Sequence, residues 1–446
     1  MMLSLLLLAL AVVFIVVATT RFQLHPFLAL LAAGLLFGVG SGMPLPEVSA
    51  SLRDGFGATI GNVGIVIIAG TVIGVFLERS GGAYAIAEAI LARIGRRRVP
   101  ASMSVIGYVT SIPVFADSGF VILQSLNRAL TQRAGLSLAT TSIALALGLM
   151  VTHTLLPPTP GPIAAAAALA ADLGLVIAIA APVSLVVLAL SWLWATRVAS
   201  RLRIDPAPET SETEIAQRLA TAPSATRALL PIFLPLALIM LGSVARLPAQ
   251  PFGDGTLASA LLFAGDPVIA LLAGMLLAFA LPAKLERRMF AQTGWVGEAI
   301  LSAAVIILVT GAGGAFGRVL LNSGFAQAFG EAMSSWGLGL WLPFAICAVV
   351  RAAQGSATVA IITTAGIIAP LLPALGLDSE LGRALAVVAI GSGGFFASHA
   401  NDSFFWVVTQ MSGMTPGQGY RLLTAGSCLM ALLSGALVWL AGMLLL

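Results

Sequence analysis

The segment Gly391-Ser-Gly-Gly-Phe-Phe-Ala-Ser-His-Ala-Asn-Asp-Ser403 decides how the rest of the chain is interpreted. It lies inside an apolar run, Leu381 to Val408, that is long enough to cross a bilayer. An ionisable side chain at the centre of a membrane helix costs at least about 2.5–3.5 kcal/mol on insertion scales. A helix that carries His399 and Asp402 there is expected to be broken, with its unwound backbone lining a protected cavity.

The composition is that of a polytopic membrane protein. Of the 446 residues, 59% are hydrophobic and 9% are charged, whereas a soluble domain has roughly 25% charged residues. The net charge of +4 does not indicate a nucleic-acid partner. Cys347 and Cys428 lie in apolar stretches, so neither a disulfide nor a metal site is expected. The N-terminal residues 1–20 lack a basic start and a small-residue cleavage site, which favours a first span over a signal peptide.

Ten apolar stretches are each long enough to span a bilayer. They are 3–20, 26–41, 60–78, 139–171, 174–196, 228–245, 258–281, 297–320, 384–410 and 422–445. Two more, 101–131 and 339–374, have polar or Gly/Pro breaks near their centres.

Basic clusters between the spans set the expected orientation. The clusters are Arg93, Arg96, Arg97 and Arg98; Arg197, Arg201 and Arg203; and Lys284, Arg287 and Arg288. If all three are cytoplasmic, both interrupted stretches must enter and leave on one side. This predicts two re-entrant hairpins and places both termini outside the cytoplasm.

The two halves of the chain resemble each other. Gly70, Gly74, Ser80 and Glu88 match Gly313, Gly317, Ser323 and Glu331 at a constant offset of 243 residues, and His153 pairs with His399 at 246. The polar, Pro-containing stretch 197–227 is predicted to be a cytoplasmic linker. An odd number of spans per half makes the second copy inverted. Inverted repeats with paired interrupted helices are typical of secondary transporters whose site lies near the midplane.

The first half contains two of the four interruptions. At the tip 111–119 of the first hairpin, Pro113 stops a half-helix and Gly119 is expected to relax the turn. Asp117, followed by Ser118, is either a helix N-cap or a group that binds ligand or protons. In 152–162, four prolines in six residues predict an extended crossing that exposes hydroxyl groups. The residues concerned are Thr152, Thr154 and Thr159, with His153 as a capping donor or a titrating group.

The second half of the chain contains the other two interruptions. Gly355 and Ser356 suit the tip of the second hairpin, and Ser356 and Thr358 open a half-helix whose free N–H groups attract anions. Arg351, one turn earlier, either pairs with a carboxylate or extends to the outer surface. The fourth interruption gathers Ser398, His399, Asn401, Asp402 and Ser403. Acids inside membranes usually have a function, so this cluster is predicted to act in transport.

These groups suit a small hydroxylated anion. No Walker A sequence, haem-attachment pair or HExxH motif occurs in the chain, so ATP-driven transport has no support. No cofactor is predicted. Sodium coupling stays open, because unwound carbonyls with Asn401 and Asp402 have the oxygen donors that a cation needs. A channel is disfavoured because the polarity is confined to four interruptions. An intramembrane hydrolase would need a nucleophile–base pair, which His153 or His399 with a nearby serine could mimic, and an assay for product formation would detect it.

The chain resembles the gluconate:proton symporter (gluconate permease) family, within the wider ion transporter superfamily. The matching segments run nearly the full length in order. They include Gly55 through Gly64, Leu77 through Gly82, Pro113-Val-Phe-Ala-Asp-Ser-Gly-Phe120, His153 through Pro162, Gly311 through Phe316, Gly355-Ser-Ala-Thr-Val359 and Ser398-His-Ala-Asn-Asp-Ser403. Two positions depart from the family pattern: Thr159, where many members have His, and Phe404, where many have Gly.

The resemblance implies an all-α homodimer in the inner membrane that takes up gluconate or a related sugar acid with protons. It also implies an elevator in which a transport part moves against a scaffold. The scaffold parts are expected at 1–100 and 228–338. The transport parts are expected at 101–196, with hairpin 101–131 and broken helix 139–171, and at 339–446, with hairpin 339–374 and broken helix 384–410.

The proton-coupling candidates are Asp117, His153, His399 and Asp402, which are expected to titrate as a coupled set. Members of the resembled family also serve D-serine, glycerate and other hydroxy acids, and the resemblance does not select among them.

Overall fold

A computed structural model describes residues 2–95, 98–206, 220–246, 251–324, 338–399 and 402–446. Regular secondary structure within these ranges is helical, and they contain no β-strand. The prediction of an all-α protein is therefore confirmed for this part of the chain. The arginines at 96 and 97, the second-repeat glutamate at 331, Asn401 and the centre of the linker lie outside the described residues.

The described residues form 18 helices of nine or more residues. They are α1 Met2–Thr20, α2 Pro26–Gly40, α3 Leu45–Arg79, α4 Gly82–Ile94, α5 Val99–Thr110, α6 Ala116–Arg133, α7 Leu138–Leu155, α8 Pro160–Ala168, α9 Leu173–Arg197, α10 Ala225–Ala245, α11 Thr256–Ala264, α12 Pro267–Ala278, α13 Trp295–Asn322, α14 Trp341–Gln354, α15 Ala357–Ile368, α16 Glu380–Gly394, α17 Ser403–Met411 and α18 Ala425–Leu445.

Six helical stretches of the described chain are long and apolar enough to cross a membrane. They are Leu45–Arg79, Leu138–Ala168, Leu173–Arg201, Ala225–Ala245, Arg287–Asn322 and Pro416–Leu445. A seventh results if the bent pair α11 and α12 counts as one span. The count of ten spans stays a prediction, because several of the predicted spans are short or interrupted helices here.

Two predicted spans differ in shape from the expectation. The span predicted at 60–78 is the second half of the 35-residue helix α3, which starts at Leu45 and packs along α13. The span predicted at 258–281 is bent by 68° between α11 and α12. Asp266 caps α12 by accepting hydrogen bonds from the backbone N–H groups of Val268 and Ile269, and Pro267 follows it. A capping aspartate followed by proline starts a new helix, which explains the bend.

Each half contains a helical hairpin followed by an interrupted helix. The first hairpin is α5 and α6, and its interrupted helix is α7 and α8. The second hairpin is α14 and α15, and its interrupted helix is α16 and α17. The order of elements is thus the same in both halves, and α7 lies deep in the core, with all of its residues buried except His153.

Glycines bring the long helices α3 and α13 against the interrupted elements. A Cβ atom on Gly74 of α3 would lie 2.3 Å from the carbonyl oxygen of Pro113, at the first hairpin tip. A Cβ atom on Gly317 of α13 would lie 2.6 Å from the carbonyl oxygen of Gly366 in α15. Both distances are far below van der Waals contact, so only glycine permits these backbone approaches. Gly74 and Gly317 are one of the residue pairs that match between the two halves at an offset of 243 residues.

Candidate functional site

A cavity of about 530 Å³ lies between the two hairpin tips, where the interrupted helices also end. Its volume falls in the range of ordinary small-molecule sites. The first half contributes residues from α6 and the end of α7, and the second half contributes the tip between α14 and α15 and the start of α17. One apolar wall comes from the middle of α13, at Val305, Ile306 and Val309.

A buried ion pair joins the second hairpin to the second interrupted helix. Nη2 of Arg351 donates to Oδ2 of Asp402 over 2.5 Å, and the two side chains are 2% and 7% exposed. The guanidinium also donates to the carbonyl oxygens of Gly394 and Gly355. Asp402 accepts further bonds from Oγ of Ser398 and from the backbone N–H of Phe404. Both charges are therefore compensated, which is what makes their burial tolerable.

Three helix N-termini face the cavity. The first turn of α6 carries Asp117 and Ser118, α15 begins after the N-cap Ser356, and α17 begins after the N-cap Asp402. Gly355 precedes α15 in the left-handed conformation, with φ of 79°, which lets the chain reverse direction at the tip. Each helix N-terminus carries a partial positive charge and free N–H groups. Their convergence favours a bound anion.

Asp117 and His153 are the first half's ionisable groups in the cavity wall. Oγ of Ser403 donates to Oδ2 of Asp117 over 2.9 Å, which links the two halves directly. Nε2 of His153 lies 3.5 Å from Oγ1 of Thr358, at the limit of a hydrogen bond. Nδ1 of His153 is buried and has no partner among the described residues. These two groups are held far less tightly than Arg351 and Asp402.

Most predicted site residues line this cavity. They are Asp117, Ser118, His153, Thr154, Arg351, Gly355, Ser356, Thr358, Asp402 and Ser403. His399 is nearby but outside the wall, and its Nε2 donates to the carbonyl oxygen of Ala352 over 2.7 Å.

Three predicted residues have local packing or backbone roles instead. Gly119 lies within α6 rather than in the turn, and its missing Cβ makes room for Leu149. The Thr152 hydroxyl donates to the carbonyl oxygen of Tyr108 over 2.9 Å, since α7 stays helical to Leu155. The Thr159 hydroxyl donates to the carbonyl oxygen of Leu156 over 2.5 Å. The expected extended crossing is only the segment 156–159, so it does not expose these hydroxyls to the cavity. Thr154 lines the wall, but its hydroxyl donates to the carbonyl oxygen of Met150.

Several residues of the cavity wall were not predicted from the sequence. Phe115, Met150, Val359 and Ile362 add apolar surface. Gln354, the last residue of α14, adds a carboxamide whose nitrogen and oxygen are both buried without a partner in the described part of the chain. Its position directly before the Gly355–Ser356 tip was the available signal. Phe404 also lines the cavity and packs edge-on against Phe120, with ring centroids 6.1 Å apart.

The fold and the site define a membrane transport protein: apolar helices surround a polar cavity in which interrupted helices meet. The sequence makes the class specific, because residues 3–444 match the GntP family of permeases. The chain belongs to this family. It is 32% identical over 442 residues to a gluconate permease of Pseudomonas aeruginosa, covering 97% of this chain and 96% of that protein. It is 31% identical to the high-affinity gluconate transporter of Escherichia coli, covering 92% of each. The protein is thus a multi-pass membrane permease and not an enzyme.

Solved structures of other transporters share the fold. The YdaH transporter of Alcanivorax borkumensis superposes with a TM-score of 0.64 at 16% identity, covering 94% of this chain and 99% of that one. MtrF of Neisseria gonorrhoeae superposes with a TM-score of 0.61 at 15% identity, covering 95% and 96%. At such low identity these likenesses concern the fold alone.

Proposed function

We propose that this permease is a secondary active transporter that imports gluconate or a related small hydroxy acid together with protons. The observation that carries the proposal is the cavity itself. It combines three helix N-termini, hydroxyl groups and a charge-compensated arginine between the two hairpin tips. Gluconate permeases and transporters among the relatives support the substrate class.

In this proposal the carboxylate binds at the helix N-termini rather than to Arg351. The guanidinium of Arg351 already donates to Asp402 and to two carbonyl oxygens. Free backbone N–H groups remain at the start of α6, whose N-cap residue Phe115 has no side-chain acceptor. The hydroxyls of Ser118 and Thr358 lie in the same wall. An anion placed here gains charge-assisted hydrogen bonds without separating the buried ion pair.

We assign the proton to Asp117. Asp402 is stabilised as a carboxylate by Arg351, Ser398 and a backbone N–H, so protonating it would break a satisfied network. The described residues give Asp117 only one side-chain hydrogen bond, from Ser403. The charged neighbours that act on Asp117 are Asp402 and Arg351, with His153 in the same wall. A neutral Asp117 would remove a negative charge beside the incoming anion, which couples proton uptake to anion binding.

Alternating access, the inverted repeat and the elevator remain part of the proposal. The hairpins and interrupted helices would move as the transport part against α3 and α13. The close backbone approaches at Gly74 and Gly317 support such sliding, because no side chains interlock there. We also propose a homodimer in the inner membrane with both termini outside the cytoplasm. One relative is an inner membrane permease of Escherichia coli, which supports the location.

Uptake by the purified protein in proteoliposomes tests the function. We expect an inward proton gradient without sodium to drive accumulation of labelled gluconate above equilibrium, and a proton ionophore to abolish it. Unlabelled glycerate, D-serine and lactate, added as competitors, rank the substrates. Accumulation that requires a sodium gradient and ignores the proton gradient would replace proton coupling by sodium coupling. No uptake of any hydroxy acid under either gradient would refute the proposed substrate class.

A further inference from the structure

Gln354 lines the cavity, and the state of its side chain is unusual. Both its Nε2 and its Oε1 are buried and have no hydrogen-bond partner among the described residues. Leaving a buried polar atom unpaired costs roughly 1–3 kcal/mol. Native proteins rarely keep such groups, and an unpaired one that lines a cavity indicates a missing ligand or water.

Gln124 is another glutamine, and its side chain has a structural role. Gln124, in α6, is buried, and its Nε2 donates to the carbonyl oxygen of Met411 over 2.8 Å. Its Oε1 accepts a hydrogen bond from Nδ2 of Asn127. Both ends of that carboxamide are therefore satisfied inside the protein. The contrast indicates that the Gln354 carboxamide is kept for a partner that enters the cavity.

The position of Gln354 is fixed before any ligand arrives. It ends α14 one residue before Gly355, and Arg351 donates to the Gly355 carbonyl and to Gly394 of α16. The hairpin tip is thus tied to the neighbouring interrupted helix. Because the backbone at Gln354 is anchored, binding costs only the freedom of its side chain, which favours selective recognition.

The chemistry of the carboxamide selects its partner. A carboxylate only accepts hydrogen bonds, so it can pair with the Gln354 nitrogen but leaves the Gln354 oxygen unpaired, whereas a hydroxyl group both donates and accepts and can satisfy either atom. In the same cavity wall, the buried Nδ1 of His153 also has no hydrogen-bond partner within the described residues. We infer that Gln354, assisted by His153, recognises the hydroxyl groups of the transported anion and makes the permease selective for polyhydroxy acids. This inference rests on the proposed function and specifies its substrate class.

Competition uptake with a series of acids tests the inference. The full-length protein in proteoliposomes is given labelled gluconate, and unlabelled gluconate, glycerate and lactate compete. In wild type, we expect the concentration for half inhibition to rise as hydroxyl groups are lost. In Gln354→Met, which keeps the length but removes both polar atoms, we expect apparent gluconate affinity to fall about tenfold, the effect of one or two hydrogen bonds. The affinity for lactate should change far less, so the ratio of gluconate affinity to lactate affinity should become smaller.

Gln124→Met is the matched control. It removes a structural carboxamide, so it should lower the melting temperature without changing the ratio of gluconate to lactate affinity. If Gln354→Met does not fold, Gln354→Asn takes its place, because its side chain is shorter by one methylene. This variant must then lower the ratio of gluconate affinity to lactate affinity. An unchanged ratio in the Gln354 variants overturns the inference while leaving the proposed function intact. A wild type that takes up no hydroxy acid overturns the proposed function itself.

Discussion

The two halves of the molecule hold their ionisable groups in different ways. In the second half, Arg351 and Asp402 are buried against each other, and each has further hydrogen bonds to backbone or serine. In the first half, Asp117 has a single side-chain hydrogen bond within the described chain, and His153 has one long contact. The two halves have the same order of helices. On one side of the cavity the ion pair has several hydrogen bonds, and on the other side the ionisable groups have few within the described chain.

This difference suggests that the two halves have different roles in the site. A satisfied, desolvated ion pair contributes mainly by holding one arrangement of helices, because separating it leaves buried charges unpaired. Groups with free bonding capacity can instead change protonation or bind ligand at small cost. We therefore propose that the second half is the fixed support of the site and that the first half carries the group that takes up the proton.

The largest effect is expected from Arg351→Met. It leaves Asp402 buried without its cation, which costs about 3–5 kcal/mol. We expect a strongly lowered melting temperature in detergent and loss of uptake. The double variant Arg351→Met with Asp402→Asn removes both charges and should recover part of the melting temperature. A single variant as stable as wild type would show that the pair is not a support.

We expect Asp117→Asn to have a smaller effect on stability than Arg351→Met but a large effect on the coupling of substrate uptake to protons. The carboxamide still accepts the Ser403 hydrogen bond, so the melting temperature should stay close to that of wild type. Proton-driven accumulation should be lost, while exchange of labelled for unlabelled gluconate across the membrane continues. Ser403→Ala, which keeps the carboxylate, serves as the control and should retain accumulation. Full accumulation by Asp117→Asn with an unchanged pH profile would contradict the assignment.

The smallest effect is expected from Thr159→Val in the first interruption. The hydroxyl donates to the Leu156 carbonyl and does not reach the large cavity. The nearly isosteric valine removes this bond and should destabilise the protein by about 1 kcal/mol, with gluconate affinity unchanged. A large loss of affinity would mean that Thr159 contacts the substrate after all, and that the first interruption contributes more to the site than its geometry suggests.

Much of the fold was predictable because apolar length and Pro/Gly interruptions act locally. Helices end or begin near Pro113, Pro160 and Gly355, as the sequence predicts, because these residues determine backbone conformation by themselves. The assignment of the paired helices as re-entrant hairpins stays a prediction. The bend at Asp266 was missed, although aspartate followed by proline is a recognisable helix start. Hydrophobicity alone treats such a stretch as continuous.

The site was harder to predict because side-chain partners are set by tertiary packing. The sequence could not distinguish an Arg351 that pairs with a carboxylate from one that extends to the surface. It also could not reveal that Thr152 bonds to Tyr108 in another helix, or that the Gln354 side chain has no partner in the part of the chain that the structure describes. The apolar wall from α13 carries no polar motif at all, so only its placement in space identifies Val305 and Ile306 as cavity residues.

The bond between Arg351 and Asp402 also constrains how the protein is assembled. The two residues are 51 positions apart in the chain, so the arginine is synthesised well before its counter-ion. A lone guanidinium in lipid is costly, so we expect the second hairpin to reach its final position only after the start of α17 has been synthesised. The last tenth of the chain, from Asp402 onward, is therefore expected to complete the assembly of the site.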